Sequence, residues 1–302
     1  NWITHLDCDR DGNLWVGTLS GLYQYNEAKE SFLHVPFTKN KGIDLFRFDK
    51  NNQLWLLMDG TLIQYNVSDG QFHIFAGNNG QTYTSFCIMA DNSLWLGDSE
   101  GFISLLNPED GSLESHNLFA HSPATTSRKL SMLSPSPSSA NIYVAFEHDD
   151  VKIFNVLSKT YQDLNIQEKN QLTILINCFL EKNQKELWIG TDSGLFIYDL
   201  DLGTCKRIRQ DPLDPYALSS HFVSALFKDR EDGVWICFHQ NGVNYYSPFR
   251  PFNVYYPWNE THSLKGEVIR DICTDIYGNI WVGTEDAGIN CLEKKTGTFT
   301  NY

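Results

Sequence analysis

One short phrase recurs along the whole of this chain and constrains its fold more than any other feature. Its clearest copies are Asp11-Gly12-Asn13-Leu14-Trp15-Val16-Gly17-Thr18, Leu187-Trp188-Ile189-Gly190-Thr191 and Tyr277-Gly278-Asn279-Ile280-Trp281-Val282-Gly283-Thr284. The aromatic at its centre is Trp15, Trp55, Trp95, Tyr143, Trp188, Trp235 and Trp281, at spacings of 40, 40, 48, 45, 47 and 46 residues. A period of that size, with an aromatic in a short apolar run and a glycine-marked turn on either side, is the pattern of a β-propeller blade. Seven such units fill the 302 residues. The expected fold is therefore all-β: a seven-bladed β-propeller of four-stranded antiparallel blades, a single domain over residues 1–302.

The first unit reads strand by strand. Ile3 to Cys8 is extended, Asp9 to Asn13 is a turn rich in Asp, Asn and Gly, and Leu14 to Thr18 is the second strand. A turn at Leu19-Ser20-Gly21 leads to Leu22–Asn26, and Ser31–Val35 completes four strands. The glycine after the second strand recurs as Gly21, Gly60, Gly101, Gly194, Gly242 and Gly288. The fourth unit departs, with Tyr143 for Trp, Asp150 at the glycine position and the Pro/Ser-rich turn Ser134–Ser139. It reads as a degenerate blade with a longer loop rather than a linker. Blades pack face to face, so the Trp ladder is expected in the core, with the glycine that follows a Trp-Val or Trp-Ile pair leaving room for a neighbour. An aspartate six residues before Trp recurs at Asp9, Asp49, Asp229 and Asp275. Binding turn amides explains this set better than catalysis does.

Composition narrows the function classes. A net charge of −14 argues against nucleic acid or anionic membrane as the main partner. No run of 18 apolar residues is present, so no segment reads as a spanning helix. The absence of an initiator Met and of a signal peptide reads as a processed or excised piece. Seven cysteines, an odd number without short paired spacing, suit free buried thiols better than a disulfide framework.

Few residues invite a chemical role. Asp7-Cys8-Asp9-Arg10-Asp11-Gly12 resembles the start of a calcium loop, but its twelfth position is Thr18, where a bidentate Glu is needed. The histidines form no helical metal pair, and neither a Gly-x-Ser-x-Gly motif nor a glycine-rich phosphate loop is present. No cofactor, metal or catalytic residue is therefore expected. A ligand would enter at the channel mouth, among the loops between blades and the turns joining second to third strands. The long loops before units six and seven run from Asp211 to His221 and from Tyr256 to Gly266. Their residues, with those beginning the inner strands, give the candidate binding set His5, Asp44, Tyr216, His221, Trp258, His262, Arg270 and Asp271. Thr4, Thr84, Ser85, Asn177 and Ser224 extend the inner polar row, which suits either a water-filled channel or a polar-ligand site. Trp258, Tyr216 and Arg270 are the strongest anchors, since aromatics and Arg concentrate binding energy.

At these residues the chain resembles a known family. The Asp-Gly-Asn-Leu-Trp-Val-Gly-Thr phrase, with Gly-Leu or Gly-Ile after the next turn, is similar to the two-component regulator propeller repeat. Asp211-Pro212-Leu213-Asp214-Pro215-Tyr216-Ala217-Leu218-Ser219 resembles the loop common in that family, with Ala217 in place of the usual Ser. The resemblance runs through the whole chain, strongest in units one, five and seven and weakest in four. It implies the periplasmic sensor region of a bacterial hybrid two-component system, in which two propellers precede a small β-sandwich, a membrane helix and a histidine kinase. It further implies sensing of oligosaccharides from polysaccharide breakdown, with contacts extending beyond one propeller. The expected partners are an oligosaccharide-like ligand, other sensor domains and a second protomer, with no nucleic acid and no membrane contact in this segment. Two other readings stand beside it: a protein–protein interaction propeller without a small-molecule ligand, and a propeller lyase or glycan-active hydrolase, for which the ring offers Asp44 and Asp271 but no recognisable dyad spacing.

Overall fold

The computed structural model describes residues 2–77, 80–119, 128–147, 151–166, 174–211, 217–248 and 262–302. They form seven antiparallel sheets, each with its strands in chain order. The first is Ile3–Cys8, Leu14–Thr18, Gly21–Asn26 and Ser31–His34. The second is Leu45–Phe48, Gln53–Met58, Thr61–Asn66 and Phe72–Phe75, and the third Tyr83–Ile88, Leu94–Asp98, Phe102–Leu106 and Leu113–Asn117. The fourth, Leu130–Pro135, Asn141–Phe146, Val151–Asn155 and Thr160–Asp163, is a complete sheet despite its departures from the repeat. The fifth is Ile176–Asn183, Glu186–Thr191, Gly194–Asp199 and Thr204–Ile208. The sixth holds three strands among the described residues, Val223–Lys228, Val234–Phe238 and Val243–Tyr246, against the four expected. Residues 249–261, which follow it, lie outside the described set, as does Asp150. The seventh is Ile269–Thr274, Ile280–Thr284, Ile289–Leu292 and Phe299–Asn301.

The chain divides into two compact units, Asn1–Tyr246 with the first six sheets and Ser247–Tyr302 with the seventh. Within the first unit, the opening strand of each sheet runs beside the opening strand of the next. A slab of apolar side chains fills each gap. Trp15, Leu22, Phe46 and Leu54 lie between sheets one and two, and Tyr143, Ile153, Phe179 and Leu187 between four and five. A strand covered on both faces has no polar side to show, which is why the repeated phrase reads as a continuous apolar run rather than an alternation. In the second unit Val282, Leu292, Phe299 and Leu264 form a small core.

The ladder aromatics are core where a sheet follows: Trp15, Trp55, Trp95, Tyr143 and Trp188 are each 2 % exposed. After Trp15, Trp95 and Trp188, the glycine two residues on is what lets the next sheet come so close. A methyl group at Gly97 would lie 2.7 Å from Leu130 Cδ2, and one at Gly190 would lie 2.7 Å from Val223 Cγ1. Trp235 departs from expectation at 41 % exposure. Its sheet is the last of the first unit, so within that unit no later sheet covers it. The first sheet mirrors this at the other end, where Leu6 and Cys8 are exposed. The expectation of buried thiols thus holds for Cys87 and Cys291 and fails for Cys8 and Cys273.

Fourth strands are matched to third strands by a pair that changes from sheet to sheet. The residue opposite the one after the aromatic anchor faces a partner that complements it. Tyr23 meets the edge of His34 at 4.9 Å, and Ile63 pairs with Ile74. Ser104 bonds Ser115 at 2.8 Å, Lys152 pairs with Asp163, and the Arg207 guanidinium lies 5.2 Å over Phe196. In the seventh sheet Asn301 donates to Asn290 at 2.6 Å. Cross-strand pairs of this sort set register, and a residue facing the wrong partner loses the gain.

Candidate functional site

The recurrent aspartates are bound into the turns. In the first sheet Asp9 Oδ1 accepts the amides of Asp11 and Asn13 at 3.0 and 2.9 Å, and Asp9 Oδ2 accepts the Trp15 indole N–H at 3.0 Å. Asp49 holds Asn51, Gln53 and Trp55 in the same way, Asp229 holds Glu231, Gly233 and Trp235, and Asp275 holds Tyr277, Asn279 and Trp281. One carboxylate therefore closes the turn with one oxygen and satisfies the indole with the other. Burial works to raise the Asp9 carboxyl, but the bonds from Asn13, Trp15 and the turn amides outweigh it and hold it below the usual range. The Trp281 indole, followed by the turn donors, brings Asp275 down to about 2. Carboxylates held this way are weak general bases at neutral pH.

Three sheets lack that aspartate and solve the same problem differently. Trp95 donates to Ser93 Oγ at 3.2 Å, and Trp188 donates to Glu186 at 3.3 Å. Tyr143 is served from the next sheet: its hydroxyl donates to Glu181 Oε2 at 2.7 Å. The buried Glu181 carboxylate also accepts from Ser136 at 2.5 Å and from Ser138, so the Pro/Ser-rich turn is built around it. Burial first, then Glu181, pushes the Tyr143 phenol well above its ordinary value.

The predicted binding residues lie in both units. In the first, His5 points its ring at Phe46, 5.4 Å away, and its Nε2 is buried without a hydrogen-bond partner among the described residues. Burial, then Arg47, pushes its pKa down to about 3, so it is neutral at physiological pH. Asp44 is exposed, and desolvation and then the like charge of Asp59 raise its carboxyl. His221 is exposed, just before Phe222, whose ring lies 5.2 Å from His239. In the second unit His262 is exposed with φ 74°, and its carbonyl accepts the Phe299 amide at 3.1 Å. Arg270 forms an exposed ion pair with Glu285, and the Asp271 carboxylate accepts the Ile272 amide at 2.9 Å. Tyr216 and Trp258 lie outside the described residues. Among the described residues no hydrogen bond, ion pair or ring contact joins two of the six.

Much of the remaining polar row ties one sheet to the next. Ser85 Oγ accepts the Leu133 amide at 3.0 Å, and Asn177 Nδ2 donates to the Val223 carbonyl at 2.9 Å. Thr84 and Ser224 donate to carbonyls of their own sheets, Gly97 at 3.3 Å and Cys237 at 3.2 Å. Two carboxylates of the candidate calcium loop are committed too: Asp9 to its turn, and Asp7 to the Cys8 amide with Arg47 4.0 Å away. No group of three His, Cys, Asp or Glu among the described residues is arranged to hold a metal ion. Sequence reasoning passed over Asn244 and Asn290, which grip the ends of the two long loops. Their signal was Gly-Val-Asn and Gly-Ile-Asn after the second turn, where other repeats place Tyr, Ile, Ser, Lys or Phe.

The comparisons with known proteins fit this geometry. The chain shares its fold, at 12 % identity, with the β-propeller domain of Cps50 (Swd1) from Myceliophteria thermophila, over 82 % of this chain and 84 % of that one, with a TM-score of 0.63. The fold is thus of the β-propeller class. Residues 1–20 and 263–286 match the model of the two-component regulator propeller, so both segments are repeats of that kind. Two extracellular domains from B. thetaiotaomicron are similar over the whole of this chain. One, from a protein described as a one-component system, is 15 % identical over 52 % of its own length with a TM-score of 0.57. The other, from a protein described as a hybrid two-component system, is 19 % identical over 47 % of its length with a TM-score of 0.50. The chain spans about half the length of those two domains. None of the curated proteins matches it. No helix among the described residues is long and apolar enough to cross a membrane.

Proposed function

We propose that this chain is a non-catalytic sensing propeller of a hybrid two-component system, placed in the periplasm and acting in a full-length histidine kinase. The single observation that carries the reading is the pair of two-component regulator propeller repeats at residues 1–20 and 263–286. The commitment of Asp9, Asp49, Asp229 and Asp275 to turns and indoles supports it, because the most regular carboxylates of the chain are structural. The ligand class is an oligosaccharide, met by residues of the long loops and first strands, with Arg270, Trp258 and Tyr216 as anchors. Binding would bias the arrangement of two protomers, and the kinase would read that arrangement. A panel of oligosaccharides screened by thermal shift tests the reading, since specific binding raises the melting temperature. A sugar that raises it in the parent chain and loses affinity by calorimetry in both R270A and W258A supports this placement. Unchanged affinity in both variants refutes the placement, and a panel with no shift refutes direct sensing by this segment.

A second reading, docking onto another protein, rests on the turn Asp275–Asn279. Ile276 and Tyr277 at its tip are 92 % and 77 % exposed, where the first and sixth sheets carry Arg10-Asp11 and Arg230-Glu231. It predicts association that depends on concentration and weakens in I276S/Y277S.

A further inference from the structure

The two long loops end in the same device. In the first unit Leu218 is buried among Val223, Val234 and Ile236, and the next residue, Ser219, is held by Asn244. Asn244 Oδ1 accepts the Ser219 amide at 2.9 Å, and its Nδ2 donates to Ser219 Oγ at 2.8 Å. In the second unit Leu264 is buried among Val282, Leu292 and Phe299, and the next residue, Lys265, is held by Asn290. Asn290 Oδ1 accepts the Lys265 amide at 2.9 Å, and its Nδ2 donates to the Lys265 carbonyl at 3.0 Å. Both asparagines lie 25 residues after the residue they hold. Both occupy the third-strand position opposite the residue after Trp, Ile236 in one sheet and Val282 in the other.

In the seventh sheet that position does two jobs, because Asn290 also accepts from Asn301 of its own fourth strand at 2.6 Å. In sheets one to five it holds Tyr23, Ile63, Ser104, Lys152 and Phe196, each facing its own fourth strand. Only a primary amide offers an acceptor and a donor side by side, as a peptide unit does, so it can serve a passing chain as a strand partner. Asn290 is fully buried, a position a polar side chain keeps only when its bonds are made. Second grips back up each latch: Asn241 Nδ2 reaches the Ser219 carbonyl at 3.4 Å, and Asn301 Nδ2 donates to the Ser263 carbonyl at 3.1 Å.

We infer that Asn244 and Asn290 are positioning residues that latch the long loops entering the sixth and seventh sheets, with Leu218 and Leu264 as the plugs that seat them. The latch fixes where each loop enters its sheet, and so fixes the frame for whatever residues the loop presents. It stands independently of the ligand those loops meet.

Hydrogen exchange on the whole chain tests it, comparing the parent with N244A, N244D, N290A and N290D. N244A should speed exchange at the Ser219 amide about five- to tenfold, the worth of one hydrogen bond, and leave Lys265 unchanged. N290A should do the reverse. N244D keeps an acceptor facing the Ser219 amide and should retain its protection, which a general loss of packing would not do. Asn244 is only half-buried, so its variants carry the decision should the Asn290 variants fail to fold. Unchanged exchange at Ser219 in N244A overturns the proposal. So does N244D behaving like N244A, or Val243–Tyr246 opening as much as the loop.

Discussion

The first and fourth sheets bury the same kind of anchor and satisfy it from opposite directions. In the first, Trp15 is capped by Asp9 of its own hairpin, six residues away. In the fourth, Tyr143 is capped by Glu181, which belongs to the fifth sheet and gathers Ser136 and Ser138 as well. The lesson is that the repeat conserves a physical need rather than a residue. A large aromatic wedged between sheets carries one polar atom, and leaving that atom unpaired in the core costs about 1–3 kcal/mol. A local cap makes each sheet self-sufficient. A borrowed cap makes the fourth sheet depend on its neighbour, and it is the sheet whose sequence strays furthest from the repeat.

Several substitutions sharpen that contrast. The largest effect is expected from W95A, which empties a buried site and should cost about 3–5 kcal/mol in urea unfolding, whereas the exposed Trp235 should cost well under half of that. E181A comes next, at about 2–4 kcal/mol, because three hydroxyls lose their acceptor, and E181Q should cost less because an oxygen remains. G97A and G190A should each cost about 1–3 kcal/mol through overpacking, since the new methyl meets Leu130 or Val223 at 2.7 Å. G283A is the control. The nearest atom to its methyl is the Asp271 carbonyl at 3.8 Å, so little change is expected.

The smallest effect is in pH. Asp9, Asp229 and Asp275 are all held below their ordinary range, so their contribution is complete above the unfolded value near 3.9. It is lost as pH falls, for Asp275 through about 2. Chemical unfolding followed from pH 5 to pH 2 should show falling stability, with a shallower fall in D275N.

How much of this was legible in the sequence depends on whether a feature repeats. The aromatic anchors, the turn glycines, the glycine that admits the next sheet and the turn-binding aspartates all recur at fixed spacing, and each could be read from one copy to the next. The indole bond of those aspartates was not read, although its spacing from Trp was. Features that occur once were not legible. Glu181 lies 38 residues from Tyr143, and nothing local to either announces the pairing. Ser85 and Asn177 looked like channel lining because polarity in a strand says nothing of direction; in the structure they bond the neighbouring sheet. His5 looked like a ligand-facing histidine and instead packs against Phe46, because alternation alone did not reveal which side of the first strand meets the second sheet. Asn244 and Asn290 were within reach, since both follow a Gly-x step, but two copies are a fainter signal than seven.

The central claim is that each buried anchor is paired with a cap, borrowed where no local one exists. A double-mutant cycle of Y143F and E181A in equilibrium urea unfolding tests it most directly. The account predicts that the two losses overlap, with a coupling of about 1 kcal/mol or more, as for residues sharing one hydrogen-bond network. Losses that simply add would contradict it.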